Sequence, residues 1–220
     1  MTRILSTKKL KANQKQFLLN AGFSVVEADF IRVTRLPFQL YGVAENVIIT
    51  SQNAVKALAE HPEVQDVRRK PVFCVGHKTA DLLDENGFTV QEIAESAQEL
   101  AEIIVADYAN ETFTFFSGNI RRNELPLALL ESEIELNEIE VYETEPTPLK
   151  VGEFDGILFF SPSAVQSYLS ENKITTETCF CIGNTTAKAL QNVTKNILIA
   201  NQPSVENTII QAINYYKQLP

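Results

Sequence analysis

Short apolar runs alternate with longer amphipathic ones along this chain. Ile4–Thr7, Phe23–Phe30, Val47–Thr50, Val72–Val75, Phe113–Phe116, Ile134–Val141, Ile157–Phe160, Thr178–Ile182 and Ile197–Ile199 read as strands. Helical spacing fills the stretches between them: Lys9–Asn20, Asn53–His61, Lys78–Asn86, Gln98–Tyr108, Asn123–Glu131, Ser163–Ser170, Thr185–Gln191 and Val205–Lys217. Runs such as Gly156-Ile157-Leu158-Phe159-Phe160 have no polar face, which predicts burial on both sides. Glu133-Ile134-Glu135-Leu136 and Glu138-Ile139-Glu140-Val141 alternate instead, as a half-exposed strand does. Helix starts are signed by Ser161-Pro162, a capping serine before a first-turn proline, and by the capping-box spacing of Ser96-Ala97-Gln98-Glu99. Strand and helix in alternation predict α/β architecture with parallel sheets.

The pattern occurs twice. Thr50-Ser51-Gln52-Asn53-Ala54-Val55 returns as Phe160-Ser161-Pro162-Ser163-Ala164-Val165, an offset of 110. Phe73-Cys74-Val75-Gly76 returns as Phe180-Cys181-Ile182-Gly183, an offset of 107, and Ile4-Leu5-Ser6 as Phe115-Phe116-Ser117, an offset of 111. A tandem duplication predicts two similar doubly wound domains, flavodoxin-like or Rossmann-like, facing a cleft. The joins are unequal. Residues 32–45 and 143–155 are long and contain Pro37, Pro146 and Pro148, whereas about four residues join the first copy's end to the next start near 108–111. Short joins belong inside a domain, so the copies should interleave. The expected domains are 1–31 plus 149–220, and 38–142, connected by 32–37 and 143–148 as a two-stranded β linker.

Composition narrows the function. The formal charge of −9 disfavours nucleic acid, and any anionic ligand needs a locally positive site. No run approaches the roughly 18–20 apolar residues of a membrane span, and Met1–Lys9 break too soon for a signal peptide. The expectation is a cytoplasmic protein with no membrane partner. Cys74, Cys179 and Cys181 sit in apolar strands as buried thiols of a reducing compartment. His61 and His77 are the only histidines, with no cluster around them, so no metal site is expected.

Chemistry should gather where strands end and helices begin. Thr50-Ser51, Phe160-Ser161, Gly76-His77-Lys78-Thr79, Gly183-Asn184-Thr185-Thr186, Ser117-Gly118-Asn119 and Ser6-Thr7-Lys8 all occupy such turns. Each offers free backbone N–H groups and a positive helix end to a carboxylate or phosphate. The plainer reading makes each Ser or Thr a helix cap and Gly76 and Gly183 tight-turn residues. Arg121-Arg122 could reach a carboxylate or remain a solvated pair. Walker A, G-x-G-x-x-G, H-E-x-x-H and triad patterns do not occur.

At these residues the chain resembles the uroporphyrinogen-III synthase family. The resemblance rests on Ile48-Ile49-Thr50-Ser51-Gln52-Asn53-Ala54-Val55, Val75-Gly76-His77-Lys78-Thr79-Ala80, Ser117-Gly118 with Arg121-Arg122 and Leu125, and Val141-Tyr142-Glu143-Thr144. It continues through Phe160-Ser161-Pro162-Ser163-Ala164-Val165, Ile182-Gly183-Asn184-Thr185-Thr186-Ala187 and Pro203-Ser204-Val205-Glu206. The resemblance implies two α/β domains on a two-stranded linker, and conversion of hydroxymethylbilane to uroporphyrinogen III with loss of water and inversion of ring D, without cofactor or metal. By motif it implies that Thr50, Ser51, Gly76, Ser117, Ser161, Ser163, Thr185 and Thr186 line the cleft and hold acetate and propionate groups. Asn53, Lys78, Gly118 and Arg121 fall in the same binding set, and Lys8 stands where the family often has an Arg-Pro turn. Tyr142 matches the family's linker tyrosine, either a proton donor to the departing hydroxyl or a packing residue. A monomer is expected, with room for a transient contact with the preceding pathway enzyme. Two other readings stay open: a non-catalytic two-domain binder of an anionic small molecule, and a degenerate synthase-like regulator.

Overall fold

The computed structural model describes residues 1–218. In chain order its elements are β1 (Arg3–Ser6), α1 (Ala12–Asn20), β2 (Ser24–Glu27), β3 (Ile31–Arg35), β4 (Asn46–Ile49), α2 (Gln52–Ala59), α3 (Gln65–Arg68), β5 (Pro71–Val75), α4 (His77–Glu85) and β6 (Thr89–Ala94). There follow α5 (Ala97–Asp107), β7 (Phe113–Gly118), α6 (Glu124–Glu131), β8 (Leu136–Pro146), β9 (Gly156–Phe159), α7 (Pro162–Glu171), β10 (Thr178–Cys181), α8 (Asn184–Lys188), β11 (Ile197–Ile199) and α9 (Val205–Gln218). The chain divides into two compact units, Met1–Arg32 with Glu145–Pro220, and Val33–Thr144.

The unit containing both chain ends has a parallel sheet in the order β2-β1-β9-β10-β11. The other unit repeats this order as β8-β7-β4-β5-β6, again parallel, with β3 added outside β8. The α/β class with parallel sheets is therefore as the pattern predicts. β3 runs antiparallel to β8: Leu36 N–H bonds to Val141 O at 3.1 Å and Thr147 N–H to Phe30 O at 2.9 Å.

Apolar strands sort their side chains by parity. In the 33–144 unit Val47, Ile49, Val72, Cys74 and Phe116 face one layer, with Val55 and Leu58 of α2 and Leu83 of α4. Ile48, Phe73, Phe113 and Phe115 face the other, under Leu100 and Ile104 of α5 and Leu125 and Leu129 of α6. The second unit does the same, with Ile157, Phe159 and Cys179 under α7 and with Leu158 and Phe180 under α1 and α9. Each such side chain contributes about 1.5–3 kcal/mol on burial, so the four layers, not local propensity, hold the strands.

Two elements escaped the sequence reading. β6 carries Gln91 and Glu92 and alternates in exposure, so no apolar run marks it. α3 spans a single turn. The caps agree better: Ser161 Oγ accepts from Ala164 N–H at 3.1 Å, with Pro162 in the first turn. Ser96 Oγ accepts from Glu99 N–H at 3.1 Å, while the Glu99 carboxylate reaches back to Glu95 N–H at 2.8 Å. Among the described residues no helix is long and apolar enough to cross a membrane.

Candidate functional site

In an open parallel sheet the crevice lies beyond the carboxyl ends of the strands, where neighbouring connections diverge. In the 33–144 unit that point falls between β7 and β4, because the chain leaves β7 toward β8 and leaves β4 toward β5. Ser117-Gly118 end β7, and Thr50-Ser51 follow β4. Tyr142 is carried there by β8, which pairs with β7.

These residues form one constellation. The Tyr142 hydroxyl donates to Ser51 Oγ at 3.1 Å. Ser51 Oγ also accepts from Asn53 N–H at 3.1 Å, so the serine caps α2 while it receives the tyrosine. The Tyr142 ring lies directly on Gly118: a Cβ there would stand 2.5 Å from Cε2 and 2.9 Å from the hydroxyl oxygen. Glycine at 118 is thus a requirement of close approach, not of backbone angle. Asn119 closes the turn: its Oδ1 accepts from Thr144 N–H at 2.9 Å, its N–H bonds to Tyr142 O at 3.3 Å, and its Nδ2 donates to Thr144 O at 3.3 Å. The register shift between Ser117 and Gly118 belongs to this turn. Tyr142 is partly buried, with a polar tip at a helix start.

The other positions fall at equivalent strand ends. Gly76 precedes α4 with φ of 80°, where a side chain would be strained; its N–H bonds to Ala94 O at 2.8 Å. Gly183 departs from the tight-turn reading: its φ of −175° is extended backbone open to any residue. Lys78 stands exposed in the first turn of α4. In the unit with both chain ends the crevice lies between β1 and β9. Thr7 closes it by giving both its N–H (3.1 Å) and its hydroxyl (2.7 Å) to Leu158 O. The Lys8 ammonium sits 5.8 Å over the Phe160 ring, exposed to solvent. Ser161 and Ser163 open α7, and Thr185 and Thr186 open α8. Thr186 and Ser117 are buried, at 2% and 4% exposure, so a ligand would meet their backbone rather than their hydroxyls.

Arg121 is engaged within its own unit: its fork grips Glu138 of β8, Nε to Oε2 at 2.5 Å and Nη2 to Oε1 at 2.8 Å, with Asn123 on the third nitrogen. Such bidentate pairs are among the stronger ionic contacts and fix geometry, so the arginine shapes the turn after β7. Sequence reasoning named Asn119 with its turn but did not place it in the binding set; here it ties the turn after β7 to β8. His61 is structural: it stacks on Phe38 at 4.7 Å, and its Nδ1 accepts from Glu63 N–H at 3.2 Å. The three thiols are inert by burial: Cys179 and Cys181 are pushed up to about 12 and Cys74 to about 11.

Comparison with known proteins bears on this arrangement. The family model HEM4, uroporphyrinogen-III synthase HemD, matches residues 13–210. A curated uroporphyrinogen-III synthase from Chlorobaculum parvum is 24% identical over 194 residues, covering 76% of this chain and 79% of the relative. Among solved structures, uroporphyrinogen-III synthetase from Helicobacter pylori aligns with a TM-score of 0.74 at 21% identity, over 98% of this chain and 100% of the other. A mutant uroporphyrinogen III synthase from Thermus thermophilus aligns at 0.76 and 16% identity, over the whole of both chains.

Proposed function

The chain belongs to the uroporphyrinogen-III synthase family, lyases of haem biosynthesis, and from that premise we propose that it closes hydroxymethylbilane into uroporphyrinogen III with Tyr142 as its proton donor. The observation that carries this assignment is the Tyr142–Ser51–Gly118 contact at the strand ends of the 33–144 unit. Loss of the substrate's hydroxyl breaks a C–O bond, and the leaving oxygen takes a proton to depart as water. The ring is held by packing beneath; the O–H, given to Ser51 in the free protein, turns to the leaving oxygen when substrate is bound, and the proton released by the closing pyrrole restores the phenol. Ring closure then needs the substituted carbon of ring D held against the far end of the chain, through a spiro intermediate. That demand is one of geometry, with fixed dipoles to answer the charge that develops as the hydroxyl leaves.

The remaining residues bind. Thr50, Ser51, Asn53, Gly76 and Lys78 in one unit, and Ser161, Ser163, Thr185 and Thr186 in the other, hold the acetate and propionate arms at helix starts through their N–H groups, while Ser117, Gly118 and Lys8 do so from the strand ends. One helix end contributes only about 0.3–1 kcal/mol at an exposed site. Binding a polyanion to a chain of net charge −9 therefore calls on several of them together. The same reading has the enzyme acting as a cytoplasmic monomer, in transient contact with the enzyme that makes its substrate.

Tyr142→Phe tests the assignment. The ring keeps its seat and loses only the hydroxyl, so kcat should fall about 100-fold or more while the substrate still binds. Turnover and isomer ratio equal to wild type would remove the acid role.

A further inference from the structure

A depression of about 230 Å³ opens beside Tyr142, within the 33–144 unit, lined by Val33, Arg35, Asn53, Lys56, Ala57, Glu60 and the tyrosine itself. Asn53, Lys56, Ala57 and Glu60 recur at helical spacing, so one face of α2 forms one wall, and β3 supplies Val33 and Arg35. Val33 and the buried Ala57 give it an apolar lining; Asn53, Lys56, Arg35 and Tyr142 give it polar groups. Ligand sites for whole drug-sized molecules begin near 300 Å³, so this space suits a short side arm rather than a pyrrole chain.

Its charge is unusual for the molecule. Two cations face one acid, in a chain that is strongly acidic overall. Arg35 is held in place, Nη1 on Glu60 at 3.2 Å and its guanidinium 6.0 Å over Phe38. Lys56 pairs with no carboxylate among the described residues. The internal repeat shows that the fold does not demand this. At the offset of 110, Asn53, Lys56, Ala57 and Glu60 of α2 correspond to Ser163, Gln166, Ser167 and Ser170 of α7, a face with no charge at all.

We infer that this depression is a subsite for one carboxylate-bearing arm of the substrate, its methylenes against Val33 and Ala57 and its carboxylate between Lys56 and Arg35. The inference rests on the synthase reading and deepens it: the arm bound here would anchor the ring whose chemistry Tyr142 serves. Asn53, at the second turn position of α2, adds an amide to the same carboxylate.

The test is steady-state kinetics with hydroxymethylbilane, resolving isomers I and III, on wild type, Lys56→Met, Lys56→Glu, Lys56→Arg and Gln166→Ala. Lys56→Met should raise KM about tenfold, as loss of a charge-assisted contact does, and Lys56→Glu further. Both should keep kcat and the isomer ratio within about twofold of wild type. Lys56→Arg should restore KM, and Gln166→Ala at the equivalent position should leave it unmoved. Because Lys56 lies in the last turn of α2, thermal melts of the same proteins separate helix stability from binding. A KM within about twofold of wild type in both Lys56→Met and Lys56→Glu would overturn the subsite. Wild-type protein that yields only isomer I would instead overturn the synthase reading, and the subsite with it.

Discussion

At the scale of single residues, the site depends on one missing methyl group. Gly118 carries the Tyr142 ring at a distance that no Cβ allows, and Ser51 then receives the hydroxyl. Gly118→Ala should push the ring out of its seat while β7 remains paired on both sides. Misplacement of about 1 Å can cost roughly 100-fold in rate, so kcat should drop toward the Tyr142→Phe level with little change in the melting curve. A variant with full kcat would show that the contact is only packing. Ser51, Gly118 and Tyr142 were each visible in the sequence, as motif residues at strand ends. Their contact was not, because Ser51 and Tyr142 lie 91 residues apart and no local pattern encodes a tertiary approach. Arg121 shows the reverse case: its chemistry was legible, but its partner Glu138 sits on a strand whose register only the fold sets.

At the scale of elements, legibility followed burial. Strands buried on both faces, such as β4, β7, β9 and β10, announce themselves as continuous apolar runs. The edge strand β6 does not, although its repeat partner β11 was recognised from Ile197–Ile199; carrying the repeat across would have recovered it. The entry to β10 has its own fastening. Glu177, at 6% exposure, accepts from Thr175 N–H at 2.7 Å, Thr176 N–H at 3.0 Å and Thr175 Oγ1 at 3.2 Å. Burial works to raise its carboxyl, but the backbone donors of Thr175, Glu177 and Thr176 and the Thr175 hydroxyl outweigh it, and the group lies below its usual value. A carboxyl lowered on folding stabilises the native state above its unfolded pKa, and that stabilisation is lost as pH falls through the folded one. Glu177→Gln should therefore melt at lower temperature at pH 7. The gap to wild type should close below about pH 4.5, as the native carboxyl protonates. A gap that stays constant across a pH series of thermal melts would assign the effect to shape instead of charge.

At the scale of the molecule, the two units differ in how the chain supplies them. The 33–144 unit is one unbroken stretch with both of its apolar layers inside it. The other draws β1 and β2 from the start of the chain and β9, β10 and β11 from its end, with Ile4 beside Gly156 in the ladder. A fragment Val33–Thr144 should thus unfold cooperatively in urea, whereas Met1–Asn110, which cuts both sheets, should not; circular dichroism distinguishes the two, and a broad transition in the first fragment would refute independent folding. The β1–β9 pairing also sets an order of events on the ribosome. The first strand made can pair with β2 early, but its second neighbour comes late, since about 150 residues must emerge before Gly156 can meet Ile4. Until then the apolar segment Ile4-Leu5 has only the short, part-exposed β2 beside it, and its other edge stays unpaired. Nascent chains stalled short of β9 should for that reason be favoured clients of holding chaperones, and the interleaving that completes this unit is also its period of greatest exposure during synthesis.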